Sequence, residues 1–343
     1  MSAYDVAVIG AGPAGALCAA FCAAGGLRTL LIERAKFPRE KVCGDCLNPA
    51  CWPVLDRLGV RERVLALPHA RLAEVEFISL RGRSVRLPLD GEIAIKRSLF
   101  DQVLLDRARE LGAEVREGVA LTAIAPGWAL HAGGERFSAR RLVAADGRNS
   151  TVARLLGLLP RAAKDRVAVQ THLPAPRDFG ARVVMQFHEH GYSGLASVGD
   201  GQLNLCLVAR PPRLDAMKAW ARATFGIEPE WRTITPLARS LVAPAHRELL
   251  LVGDAARVVE PFTGEGIAYA LATGELAARH LLADDLAGYA TAHRALYRGR
   301  LWINHLARFA CLRPRLATWL LRQPRALAWL TTKVTTPRAS AEK

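Results

Sequence analysis

Short unbroken apolar runs open and punctuate this chain, whereas its middle alternates apolar with polar residues. Tyr4 to Ile9 is one such run, β-branched and ended by glycine, which predicts a short buried strand. Thr29 to Ile32, Leu142 to Ala145 and Leu249 to Val252 have the same character. A helix of small residues, Ala16 to Ala24, follows the first strand and closes at Gly25-Gly26. Helices are also expected over Leu99 to Leu111, over Thr151 to Leu156 with Ser150 as cap, and on to about Leu282 after the last apolar run. Between these lie Val75 to Leu80, Ser84 to Leu87, Val167 to Leu173, Arg182 to His188 and Gln202 to Val208. They alternate or carry β-branched residues and predict an antiparallel sheet.

These elements give an α/β chain with a discontinuous Rossmann-like domain. Residues 1–70, 96–160 and 245–283 supply it. Residues 71–95 and 161–244 form an inserted, mostly antiparallel β-sheet substrate domain, and 284–343 a basic helical C-terminal segment. No internal repeat is present.

Charge narrows the partners. The net charge is +15, much of it arginine, which points to nucleic acid, an anionic membrane or an acidic ligand. No nucleic-acid module is legible and aromatic residues do not interleave with the basic ones, so nucleic acid is not an expected partner. The seven cysteines are odd in number and no signal peptide precedes the first strand, which fits a reduced, cytoplasmic protein.

The first strand runs into Gly10-Ala11-Gly12-Pro13-Ala14-Gly15, and the second ends at Glu33. Strand, GxGxxG, helix, strand and acid stand in dinucleotide-binding order. The glycines let the backbone turn tightly against a pyrophosphate, whose charge meets the helix amino terminus. Glu33 can accept from a ribose diol and would repel a 2′-phosphate. This motif alone leaves NAD and FAD open. No second GxGxxG follows a strand, so NADH or NADPH would serve only as a transient electron donor.

Two later segments add to it. Asp146-Gly147 is a turn after a strand. Gly253-Asp254-Ala255-Ala256 leads to Pro261-Phe262-Thr263-Gly264-Glu265-Gly266-Ile267 and then a long helix. With the first motif, these resemble the three fingerprints of flavoproteins of the p-hydroxybenzoate hydroxylase fold. The loop from Pro261, the helix with Ala268, Ala270, Gly274 and Glu275, and Lys41-Val42-Cys43-Gly44 resemble most the geranylgeranyl reductase group. The resemblance covers residues 4 to 283.

It implies non-covalent FAD. Gly10, Gly12, Pro13, Ala14, Gly15, Glu33 and Arg34 would hold its ADP half. Gly147, Gly253 and Asp254 would hold the ribityl chain and diphosphate. Pro261, Gly264, Gly266 and Ile267, with Cys43 and Gly44, would lie beside the isoalloxazine ring. Arg97 resembles an arginine that reaches the cofactor from its helix start. Cys43 is the catalytic candidate. One departure stands out: the prenyl reductases carry a GYxWxFP-like strand, and here the place reads Gly191-Tyr192-Ser193-Gly194-Leu195-Ala196-Ser197-Val198. The tryptophan and proline are gone.

Three features admit two readings each. Cys43 and Cys46 are a cycling disulfide or, the favoured reading, two thiols lining a loop; no metal site has ligand spacing. His188 and His190 face the pocket beside Tyr192, or lie in a solvated turn. The tail carries ten basic residues from Arg294 to Arg338, interleaved with Trp and Leu, and no acid between Asp285 and Glu342. It is a helix set lying on an anionic membrane surface, peripheral at the inner face, or a basic cap on the core. The function expected is FAD-dependent reduction of a carbon–carbon double bond in a hydrophobic small molecule such as a lipid, isoprenoid or polyketide. The alternatives are an aromatic or polyketide monooxygenase and a membrane-associated flavin electron carrier or redox sensor.

Overall fold

A computed structural model describes residues 4–160 and 166–335. Its first sheet is built on a parallel core. Tyr4–Ile9 lies between Thr29–Glu33 and Glu135–Ala144, with Glu114–Glu117 beyond one neighbour and Leu249–Leu251 beyond the other. Both faces are covered, which is why the strands read as continuous apolar runs. The two-residue period divides them between two cores. Val6 and Val8 meet the helices Pro13–Ala24, Arg97–Glu110 and Gly266–Leu282. Ala7 and Ile9 face the opposite core with Phe137 and Leu251.

Helix ends follow the sequence. Ser150 Oγ accepts from the Ala153 amide at 3.0 Å and starts Thr151–Leu155. Pro13 opens the first helix, where its missing N–H costs nothing. Gly274 allows the first helix and Gly266–Leu282 to touch, since a Cβ there would stand 2.3 Å from the Ala14 carbonyl oxygen.

The second sheet also has eight strands, in the order Arg232–Ile234, Val167–Pro174, Gln202–Ala209, Gly191–Ser197, Arg182–His188, Ala70–Ile78, Ser84–Ala94, Cys46–Leu47. Neighbours are antiparallel except Arg182–His188 beside Ala70–Ile78, which run parallel. The amphipathic helix Leu214–Phe225 covers one face. On the other face Val75, Phe77, Phe187 and Tyr192 pack against the C-terminal helices Leu301–Cys311, Pro314–Leu320 and Pro324–Thr335. Chain segments on both sides of the insert thus build the first sheet, and the insert builds most of the second. The expected strand ends move by a few residues, the largest change being Ser84–Ala94, which runs on past Leu87. Arg338 and Glu342 of the tail, and residues 161–165 of the insert, lie outside the described residues.

Candidate functional site

A cavity of about 1120 Å³ runs between the two sheets. One end is polar and backbone-lined. There the first strand stops at Gly10, whose φ of +102° only glycine takes easily, and a Cβ on it would stand 2.6 Å from the Ala145 carbonyl oxygen. Gly12, Pro13, Ala14, Glu33 and Arg34 line this end. Gly15 does not. It lies under the turn, where a Cβ would come within 1.9 Å of the Gly10 carbonyl oxygen, so the expected cofactor contact gives way to helix–strand packing.

Glu33 is buried, and its carboxylate holds the loop itself. Its oxygens accept from the Ala11 amide at 2.7 Å and from the Ala35 amide at 2.9 Å. Each oxygen keeps a second lone pair for a diol.

Next along the cavity come Gly147, Gly253 and Asp254. Asp146 caps the following helix through the Val152 amide at 3.0 Å. Asp254 pairs with Arg148 at 3.1 Å, and the Gly253 amide donates to Thr273 Oγ1 at 2.8 Å. Opposite them stand cations, of which sequence reading had assigned only Arg97. Arg39, Lys41, Arg97 and Arg148 line the same stretch. Burial, and then the charges of Arg97, Arg39 and Arg148, push the Lys41 pKa down to about 8. Such crowding of cations beside glycine amides is the environment a diphosphate relieves. Arg97 opens its helix and lines the cavity as expected, and Asp101 holds it at 2.7 and 2.8 Å. Asp101 also pairs with Arg39 at 3.1 Å.

Pro261, Gly264, Gly266 and Ile267 form the floor at the middle of the cavity, with Cys43 and Gly44 facing it. Gly264 has φ +70° and closes the short Pro261–Thr263 turn. Two acids anchor this loop. Glu260 pairs with Arg166 at 2.7 and 2.9 Å, both side chains buried. Glu265 accepts from Arg300 and from Asn304, each at 3.1 Å, while Asn304 Oδ1 accepts from the Glu260 amide at 2.7 Å. Arg300 and Asn304 are tail residues that no motif marked.

The thiols of Cys43 and Cys46 are free. Burial raises the pKa of both, so each is protonated near neutrality. The Cys46 thiol donates to the Gly44 carbonyl at 3.3 Å, and the Cys43 carbonyl accepts from Asn204 at 2.9 Å. The loop also buries Asp45, which meets His172 Nε2 at 2.7 Å.

The far end is apolar. Phe77, Met185, Phe187, Tyr192 and Val208 form its roof, and Leu306, Leu320, Leu327 and Leu330 of the tail helices close its side. Tyr192 sets its ring edge against Phe262 with centroids 5.2 Å apart, joining roof to floor. Glu92 lines the cavity, and burial pushes its pKa up to about 7. Sequence reading missed it because a lone Glu in a strand carries no motif. His188 does not face the cavity. It accepts from or donates to Ser193 Oγ at 2.9 Å and lies 4.3 Å from the Trp220 ring, on the side of the sheet covered by Leu214–Phe225. His190 is in the turn beyond it. Strand alternation explains this: Phe187 points to the cavity, so His188 points away.

A dinucleotide grip on a parallel sheet, continuous with a chamber under a second sheet, defines a flavin-dependent oxidoreductase. The cofactor is FAD. Residues 3–195 match the family described as FAD binding domain. The chain belongs to that family, within the geranylgeranyl reductase group of p-hydroxybenzoate hydroxylase-like flavoproteins. It is 31% identical to a menaquinone reductase of Mycobacterium tuberculosis, over 88% of this chain and 79% of that protein. It is 30% identical to a digeranylgeranylglycerophospholipid reductase of Methanosarcina mazei, over 80% of this chain and 74% of the other. Its fold superposes on a flavin-dependent brominase with TM-score 0.82 at 20% identity, covering 97% and 94% of the two chains. A geranylgeranyl bacteriochlorophyll reductase-like protein of Thermoplasma acidophilum gives TM-score 0.72 at 21% identity, covering 100% and 94%.

Proposed function

We propose that this protein reduces a carbon–carbon double bond of a long apolar lipid, an isoprenoid quinone being the substrate class its relatives favour. The observation that carries the reading is the chamber. It is aliphatic and aromatic and continues from the floor at Pro261–Gly264, and the whole cavity, at about 1120 Å³, is large enough to take an apolar chain beside the cofactor.

FAD, when bound and first reduced by a donor such as NADH or NADPH, would supply the hydride equivalent. In this reading the Gly10–Ala14 turn and Glu33 hold the ADP half, Arg39, Lys41 and Arg148 meet the diphosphate, and Gly253 and Asp254 hold the ribityl chain. Pro261, Gly264, Gly266 and Ile267 lie against the ring. Tyr192, Phe187 and Met185 orient the apolar chain and exclude water. Glu92, its pKa raised by burial to about 7, is about half protonated at neutral pH and donates its proton at the chamber wall. Cys43, a neutral thiol, positions substrate at the ring side. The missing tryptophan and proline of the Gly191–Ser197 strand change the roof, and so bear on which lipid fits.

The test is anaerobic. Enzyme reduced by dithionite, NADH or NADPH is mixed with a short-chain menaquinone. Flavin reoxidation with a product that stays two hydrogens heavier after its quinol is reoxidised to the quinone supports the reading. An oxygen-dependent product one oxygen heavier would replace it with monooxygenation, and reoxidation by electron acceptors alone with a carrier.

A further inference from the structure

The tail helices have two different faces. Their inner face closes the apolar chamber through Ile303, Leu306, Ala310, Leu320, Leu327 and Leu330. Their outer face exposes Trp302, Phe309, Trp319 and Trp329, each between 45% and 54% accessible. The other exposed large hydrophobic side chains among the described residues are scattered leucines and one isoleucine. Trp302 and Trp329, from different helices, stand 5.8 Å apart. Arg313 lies over Phe309 at 3.8 Å and Lys333 over Trp329 at 5.6 Å. Arg315 and Arg325 on these helices, and Arg322 in the turn between them, are also exposed. No acid interrupts the chain between Asp285 and Glu342.

We infer that this outer face docks on an anionic lipid bilayer, so that the chamber behind it takes its substrate straight from the membrane. Half-exposed tryptophans beside arginines suit the zone where headgroups meet acyl chains, because the ring is apolar and the indole N–H stays wet. The positive charge selects an anionic surface. A protein partner would ask for acidic or neutral complementarity but gives no reason for aliphatic side chains on the opposite face of the same helices. No described helix is long and apolar enough to cross a membrane, so the contact is peripheral. Docking itself does not depend on the proposed reaction; delivery of substrate does.

The FAD-loaded full chain is sedimented with vesicles of phosphatidylcholine alone and of phosphatidylcholine with one quarter phosphatidylglycerol. Binding is expected to the second and to weaken with salt. Arg315→Gln with Arg322→Gln should lower partition about twenty-five-fold, two charges each worth about a factor of five. Trp319→Ser with Trp329→Ser should lower it at least as much and shrink a blue shift in tryptophan emission on binding. All four positions are exposed, and retained FAD absorbance checks the fold of each variant. Equal, negligible sedimentation with both vesicles at low salt overturns the inference, and so does binding that survives both pairs of substitutions. If docking holds while vesicle-borne short-chain menaquinone is not reduced, the proposed reaction fails and the docking stands.

Discussion

Asn304 donates to the buried Glu265 carboxylate at 3.1 Å and so ties the C-terminal helices to the glycine loop in the floor of the cavity. The same side chain accepts from the Glu260 amide at 2.7 Å, on the other side of that loop. Asn304→Leu would strand a buried donor and deprive Glu265 of a partner. Loss of about 1–3 kcal/mol of stability is expected, with faster FAD release. Chemical denaturation and flavin fluorescence measure the two. Stability unchanged with FAD release unchanged would show that the loop does not lean on the tail.

Arg166→Met leaves Glu260 buried and unpaired, against a pair now held at 2.7 Å. Removing one partner of a buried pair costs about 3–5 kcal/mol. Adding Glu260→Gln should recover part of that loss. A double variant no better than the single one would assign the cost to packing.

Gly274→Ala inserts a methyl 2.3 Å from the Ala14 carbonyl oxygen. Backbone cannot yield as a flexible side chain does, so the Gly266–Leu282 helix must shift away from the first helix. A cost of about 1–3 kcal/mol follows. Because Ala14 and Gly253 flank the same cavity wall, FAD affinity should fall too. Titration of apoprotein decides this, and wild-type affinity with wild-type stability would sink the claim.

FAD affinity should depend on pH through Lys41. Its pKa is held down to about 8 by burial and neighbouring cations. The protonated form favours the diphosphate, so affinity is full below 8 and declines as pH rises through it. Binding FAD should in turn raise the Lys41 pKa. In Lys41→Met this pH dependence should vanish, measured by equilibrium titration between pH 6 and about 9.5. A Lys41→Met profile identical to that of the parent places the diphosphate elsewhere.

Glu92 gives a second pH effect, opposite in use. Its folded pKa of about 7 stands above the ordinary carboxylate value. The folded state therefore binds the proton more tightly, and stability falls as pH rises from the ordinary value through about 7. Glu92→Gln removes the penalty: parent and variant should match at pH 4, and the variant should be more stable by up to about 3 kcal/mol at pH 8. If Glu92 is also the acid of the proposed reaction, the variant reduces substrate at least about 100-fold more slowly. Normal turnover with raised stability at pH 8 would leave it a strained wall residue.

The cofactor end of this protein was legible in its sequence because local geometry dictates it. A strand that must stop and turn against a diphosphate requires glycine at Gly10, whatever lies further along the chain. Ser150 caps its helix through a residue three places on, and Glu33 closes a βαβ unit within a few dozen residues. The two-faced burial of Tyr4–Ile9 shows in its unbroken apolar run. The chamber was not legible. Glu92 owes its raised pKa to burial by segments distant in sequence. Lys41, Arg39, Arg97 and Arg148 become one cluster only when three separate stretches converge. Gly15 and His188 changed roles because a one-residue step turns a side chain from cavity to packing, and periodicity alone does not say which face looks inward. The tail is the clearest case. Its arginine, tryptophan and leucine pattern set out an amphipathic helix series, but only the tertiary structure decided that the leucine face closes the cavity and the tryptophan face meets solvent, because burial depends on which surface the rest of the fold presents.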